Sequence, residues 1–179
     1  MKLYKILIFT VFSYLTVFLS GCSSRIVMQS FNNEEKVKEF SPPPEGWSGL
    51  YIFRKKTFFG QALKKNIYID GQYIGESASC SFFYRLVKPG EHLVQTESEF
   101  SENGLNYIAK EGHNHFIQQY VRVGVFVGGA NLEETTEENA KKMIMPCGLA
   151  KNKDNKALDL PSANYAEGKG SVAGPLESK

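Results

Sequence analysis

The chain has 179 residues, 42% hydrophobic and 13% aromatic, which is enough apolar material for one domain with its own core and too much for a disordered polymer. Lys and Arg number 21 against 19 Asp and Glu, a formal net charge of +2 with no long basic run, which argues against binding nucleic acid through its phosphates. Three cysteines and three histidines leave little material for a metal centre.

Lys2 and Lys5 open the chain, an apolar stretch runs from residue 6 to residue 19, and Ser20, Gly21 and Cys22 follow. The stretch is short of the roughly 20 apolar residues a membrane-spanning helix needs. A positive start, a short apolar run and small residues after it are the signature of a secretory signal peptide, expected over residues 1–21. Its last three residues and the one that follows, Leu19-Ser20-Gly21-Cys22, resemble a bacterial lipobox. That resemblance implies lipidation of the Cys22 thiol, cleavage before Cys22 and acylation of the new amine. More than one acyl chain is what stable anchoring requires. Ser23 stands where an aspartate would direct retention in the inner membrane, so the expectation is the outer membrane, facing the periplasm, if the cell is Gram-negative. Without Lys2 and Lys5 the basic residues fall from 21 to 19, equal to the acidic ones.

Residues 22–45 are polar and charged and end in Pro42-Pro43-Pro44, which favours an extended polyproline conformation. They are expected to form the lipidated N-terminus and a tether, with a short helix over 34–39 as an alternative. From Trp47 the pattern becomes short apolar runs separated by turn residues, the mark of an all-β domain. Strands are expected over 49–54, 66–69, 73–74, 80–87, 92–96, 105–109 and 115–123. Asp70-Gly71 between apolar runs signals a hairpin, and Lys88-Pro89-Gly90-Glu91 signals a turn with Pro at its first corner. A closing helix is expected near 133–145, capped by Thr135 or Thr136 and stopped by Pro146. Residues 150–179 are poor in apolar side chains and are expected to be a disordered tail. The fold expected for 46–149 is a mainly β, antiparallel β-sandwich-like domain with this one C-terminal helix.

Tyr51-Ile52-Phe53-Arg54, Ile69-Asp70-Gly71-Gln72-Tyr73-Ile74-Gly75 and Leu86-Val87-Lys88-Pro89-Gly90-Glu91-His92 together resemble an uncharacterised bacterial putative-lipoprotein family, one of the domain-of-unknown-function families. The centre of the chain is also similar to PEGA-type β-sandwich domains, although the namesake tetrapeptide is absent. The resemblance implies an envelope β-sandwich without an established activity, and brings no catalytic or binding residue with it.

Cys80 and Cys147 remain once Cys22 is lipidated. In an oxidising compartment they can form a disulfide; alternatively they are two buried free thiols. His113 and His115 are spaced to share one face of a strand, but zinc needs three or four ligands and no spacing supplies the others, so no metal is expected. Residues 124–129 are glycine-rich but lack the Lys-Ser/Thr ending of a phosphate loop. Glu97, Glu99 and Glu102 read as a solvated loop. Trp47, Phe58 and Phe59 are candidates for an exposed aromatic platform that contacts a ligand or partner. The function expected is a lipid-anchored envelope protein, held at the membrane through acyl chains on Cys22, that acts as a non-catalytic interaction module for another envelope protein or a second copy, with sheet edges available to pair. The alternative is a module binding cell-wall glycan through the exposed aromatics. No enzyme activity, cofactor or nucleic-acid partner is expected.

Overall fold

The computed structural model describes residues 26–28, 31–98, 102–122, 124 and 128–152. Residues 1–21, expected to be a signal peptide, Cys22, and the residues beyond 152, expected to be a tail, lie outside them. In chain order the elements are α1 (Phe31–Lys38), β1 (Ser48–Arg54), β2 (Lys65–Ile69), β3 (Gln72–Ser77), β4 (Ser81–Val87), β5 (Gly90–Glu97), β6 (Glu102–Ala109), β7 (Asn114–Arg122), β8 (Gly129–Glu134), α2 (Glu137–Ile144) and β9 (Gly148–Leu149).

The strands form two sheets, one of order β8-β7-β1-β4-β9 and one of order β3-β2-β5-β6. The mainly β sandwich is present, and most pairs are antiparallel. Two are not: β1 runs parallel to β7, and β4 runs parallel to β9. Parallel neighbours need long crossovers, and here the chain between β1 and β7 builds β4 and the whole second sheet.

β1 lies at the centre of the five-stranded sheet, and all seven of its residues are buried. Alternation along the strand sends its side chains to two different cores. Leu50 and Ile52 face the second sheet, where they pack with Ile67, Phe83, Val94 and Ile117. Tyr51 and Phe53 face the other way, into a core shared with Phe82, Phe116 and Ile144 and roofed by the two helices. The domain therefore has three layers: sheet, sheet and helices.

The roof revises the reading of the tether. Residues 31–44 do not run free to residue 45. Val37 and Phe40 are buried in the outer core, with Phe40 5.2 Å from Tyr51 and 6.2 Å from Phe116 between ring centroids. Tyr51 donates its hydroxyl to the carbonyl of Val37 at 2.9 Å, and Leu149 donates its N–H to Glu34 at 3.2 Å. Asn114 donates its side-chain amide to the carbonyls of Phe40 and Ser41, both at 3.1 Å. The physical reason is the outward face of β1: Tyr51 and Phe53 need an apolar cover, and two apolar residues in a charged segment supply it.

At the other end of the domain, β8 holds residues 129–134 and pairs antiparallel with β7. The closing helix consequently starts at Glu137 rather than 133, with Thr136 as its cap accepting from the N–H of Asn139. Ala150 and Asn152 are buried, and Met28 pairs with Ala150, so residues 150–152 belong to the domain rather than to the tail. The Asp70-Gly71 turn has positive φ at both residues, 51° and 75°, as a type I′ hairpin demands. Cys80 and Cys147 are joined in a disulfide that ties the β3–β4 turn to the chain entering β9.

Two outcomes follow. The disulfide closes a loop with a sequence separation of 67, worth about 4 kcal/mol by loop-closure entropy. Replacing both cysteines with Ala should lower the unfolding free energy by about that amount in urea titration, and intact mass should show alkylation of the wild-type pair only after reduction. Replacing Phe40 with Ala should cost about 3 kcal/mol in the same titration, whereas a free tether would leave the midpoint unchanged.

Candidate functional site

The site is best built from Arg54, the last residue of β1. It has the same parity as Leu50 and Ile52, so its side chain enters the sandwich at the end of the sheet and is 2% exposed. Burial lowers its pKa. A buried guanidinium needs hydrogen-bond acceptors, and among the described residues those acceptors are backbone carbonyls of the following loop: Leu63 at 2.7 Å, and Gly60.

Residues 55–64 are thereby pinned from beneath. Further bonds stiffen them: Thr57 donates its N–H to Ser79 Oγ at 3.3 Å and its hydroxyl to the carbonyl of Phe59 at 3.0 Å, and the N–H of Leu63 bonds the carbonyl of Gly60 at 3.0 Å. Gly60 has φ 70°, and a Cβ there would come within 2.9 Å of Val121. Its conformation and its space both call for glycine. The loop presents Phe58, 96% exposed, and Phe59, 54% exposed. Lys55, Lys56 and Lys64 are exposed around them.

Beside this loop is a cavity of about 460 Å³, lined by Arg54, Lys55, Phe59, Gln118, Tyr120 and Glu133 among others. It follows from the register. β1 stops pairing with β7 at Phe53 and Gln118, while β7 continues to Arg122. Below it, Gln119 donates to Thr96 Oγ1 at 2.5 Å and accepts from the Ser77 hydroxyl, joining β7 to β5 and β3. This polar network braces the end of the sandwich that carries the loop.

Trp47 lies at the opposite end. It precedes β1, whereas Phe58 and Phe59 follow it, so the seven-residue strand separates them by about 24 Å. Trp47 is half-buried, with Lys88 Nζ 3.7 Å from its ring centroid. The three aromatics therefore do not make one platform. The two histidines of the His113-x-His115 pattern are also used separately. His115 Nε2 accepts the N–H of Lys110 at 2.9 Å, and its pKa is lowered chiefly by burial; His113 Nδ1 contacts the carbonyl of Glu111 at 2.8 Å. Among the described residues no group of three or more His, Cys, Asp or Glu is placed to hold a metal ion. Glu97 accepts from the backbone and side chain of Asn66, and Glu99 and residues 125–127 of the glycine-rich 124–129 stretch lie outside the described residues.

Near Trp47, sequence reasoning missed a clamp. His92 Nδ1 lies 2.6 Å from Asp70 Oδ2, and His92 Nε2 lies 2.7 Å from the carbonyl of Lys88. Asp70 also accepts the N–H of Leu93 at 2.9 Å. Both imidazole nitrogens face acceptors, an arrangement that suits the doubly protonated ring. Burial pulls the His92 pKa down, but the bonds to Asp70 and Lys88 and the Asp70 charge outweigh it, and the net shift is upward. Burial pulls the Asp70 pKa up, but the bonds from Leu93 and His92 outweigh it, and the net shift is downward.

Comparison with known proteins places the chain. Residues 44–130 match a family described as "Protein of unknown function (DUF2846)". A protein of Haemophilus influenzae entitled "Uncharacterized protein" is 50% identical over 132 residues, which is 74% of this chain and 77% of the relative. The chain belongs to the DUF2846 family. No solved structure matches it. The resemblance to a family of unknown function is thus borne out, and neither match carries a PEGA-type description. The matched span includes β1, the loop with Phe58 and Phe59, and the Asp70–His92 clamp.

The clamp generates a pH dependence. Because the His92 pKa is raised on folding, its contribution is complete below about 6.5, the ordinary value, and is lost as pH rises through the folded value. Because the Asp70 pKa is lowered, its contribution is present above about 3.8 and is lost as pH falls through the folded value. In urea titrations the wild type should exceed His92→Phe in stability by about 1 kcal/mol at pH 5.5, a modest figure because Asp70 is half exposed. That gap should narrow by pH 8.5. A gap independent of pH would show that the pair does not titrate as a clamp.

Proposed function

We propose that this DUF2846 protein is a lipid-anchored bacterial envelope protein, acylated at Cys22, that acts as a non-catalytic interaction module. In a Gram-negative cell its place is the outer membrane, facing the periplasm. The anchor reading is supported by the sequence Leu19-Ser20-Gly21-Cys22 closing a signal-peptide pattern. The interaction reading is carried by one observation: Phe58 is 96% exposed at the tip of a loop that a buried arginine holds in place. A monomer gains nothing in its own fold from an aromatic displayed in this way, and exposed apolar groups on a rigid base mark contact surfaces.

Three of the four sheet edges, β8, β6 and β9, are poorly placed to pair with a partner strand, which leaves β3. β8 and β6 lie side by side, and Asn103 donates its side-chain amide to the carbonyl of Ala130 at 2.6 Å. β9 is covered by residues 26–28, with Lys151 donating its N–H to the carbonyl of Val27 at 2.8 Å. Edges occupied in this way are poor templates for an added strand. The glycan alternative loses its several-aromatic platform, because Trp47 sits under Lys88 at the far end of β1. The working surface is accordingly the loop of residues 55–64, and its partner is a component of the envelope.

The anchor is tested by metabolic labelling with a fatty-acid analogue and by cell fractionation. Wild-type protein should carry the label and stay with the membranes, and Cys22→Ala should lose both. A Cys22→Ala chain that remains in the membrane fraction would overturn the anchor.

A further inference from the structure

We propose that the loop of residues 55–64 docks on the anionic membrane surface that holds the acyl chains, with Phe58 and Phe59 entering the interfacial layer and Lys55, Lys56 and Lys64 against lipid phosphates. This names the partner of the surface described above and rests on the Cys22 anchor.

The loop has the composition such a surface recognises. From Arg54 to Lys65 there are five cations and no acid, with Arg54 and Lys65 buried and the other three exposed, in a chain whose remaining residues carry a small excess of acid. Two aromatics stand between the paired lysines, and Phe58 is 96% exposed. Aromatic side chains at the interfacial depth with lysines at the phosphates are the arrangement of peripheral membrane contacts. Two acids lie close by. Glu76 pairs with Lys64 at 3.4 Å, and Glu133 stands on the wall of the cavity beside Lys55. Lys55 and Lys56 remain exposed at the rim.

The anchor brings the lipid to this side of the domain. Cys22 is four residues from Ile26, and four extended residues reach at most about 14 Å. Ile26 already packs against the inner core. Ile26 and Val27 line a small cavity together with Lys64 and Lys151, so the anchored chain enters the domain beside the base of the loop. Val27 is 68% exposed and Met28 44% exposed at the same place. A leash this short holds that side of the domain near the bilayer, and the basic, aromatic loop is its most prominent apolar projection.

The test uses the position of the single tryptophan. Trp47 is at the end of β1 away from the loop, so wild-type emission reports the far side of the domain. Phe58→Trp in a Trp47→Phe background reports the loop tip, and the high exposure of Phe58 makes the change tolerable to the fold. The full lipidated protein is reconstituted in vesicles of phosphatidylethanolamine and phosphatidylglycerol, with and without bromine on the acyl chains. Docking predicts a blue shift and at least twofold quenching of the tryptophan at position 58 by brominated lipid, with wild-type Trp47 unquenched. It also predicts that adding Lys55→Glu and Lys56→Glu removes at least half of that quenching. Unshifted, unquenched emission from position 58, in protein whose acylation is confirmed by intact mass and whose vesicles float, overturns the docking. Equal quenching of Trp47 and of the tryptophan at 58 overturns it too, because the domain then has no preferred face. A photo-crosslinker at position 58 that captures one envelope protein in living cells, and no lipid, assigns the loop to that protein instead. Absence of the acyl mass overturns the anchor reading and removes the basis for docking with it.

Discussion

The rest of this structure depends on β1 being buried on both faces. A strand in the middle of a sheet with apolar side chains on both sides cannot leave either face to water. Leu50 and Ile52 require the second sheet, and Tyr51 and Phe53 require the helical roof. The roof has two pieces, one from before the domain and one from after it. α1 contributes Val37, Phe40 follows it, and α2 contributes Ala140 and Ile144. The disulfide between Cys80 and Cys147 fastens the second piece to the sheet it covers. An eight-residue helix is too short to persist alone, so α1 exists because β1 gives it something to cover.

The same strand creates the candidate site when it ends. Arg54 continues the inward alternation, but at a position where the core gives way to a loop. Its guanidinium takes backbone carbonyls of that loop as partners, which converts a buried charge into a fixed conformation for residues 55–64. A buried cation bonded only to carbonyls is a costly way to hold a loop. The return is that Phe58 is displayed outward on a rigid base, while Phe59, half exposed, lines the cavity on the open side of β7.

Much of the architecture was legible in the chain. Seven of the nine strands among the described residues follow from apolar runs and turn residues, and Asp70-Gly71 and Thr136 do what local chemistry says they should. The missed elements share a cause. β9 is two residues long, and β8, of sequence GANLEE, has little intrinsic strand preference. Both are strands only because a neighbour offers hydrogen bonds, a long-range fact that no window of sequence contains. α1 was open to the sequence only as an alternative over 34–39, because Val37 stands among lysines and glutamates and Phe40 lies just past the helix end, which gives a weak pattern. Sheet order, and the parallel pairing of β1 with β7, depend on which edges meet in space. At the site, Phe58 and Phe59 stood out as residues, but their separation from Trp47 depends on which end of β1 each occupies. The usable signal for Arg54 was its parity with Leu50 and Ile52, which marks an inward charge.

The packing of α1 and of residues 26–28 changes what an anchor at Cys22 can do. A long flexible tether would let the domain sample orientations freely and would make any weak membrane contact irrelevant. A four-residue leash ending at a packed Ile26 does the opposite. Anchored at Cys22, it would confine the domain to a shell about as thick as the Debye length of about 10 Å at 0.1 M salt, where each exposed lysine beside an anionic surface is worth about 1 kcal/mol. Binding at a second point on a shared leash is governed by effective concentration, so contacts too weak to recruit a free protein suffice to orient a tethered one. With the proposed anchor in place, two aromatics and three lysines, which would make a poor membrane-targeting device for an untethered domain, would therefore suffice to set which face points to the bilayer. That orientation would leave Trp47, the Asp70–His92 clamp and the far turns directed away from the membrane.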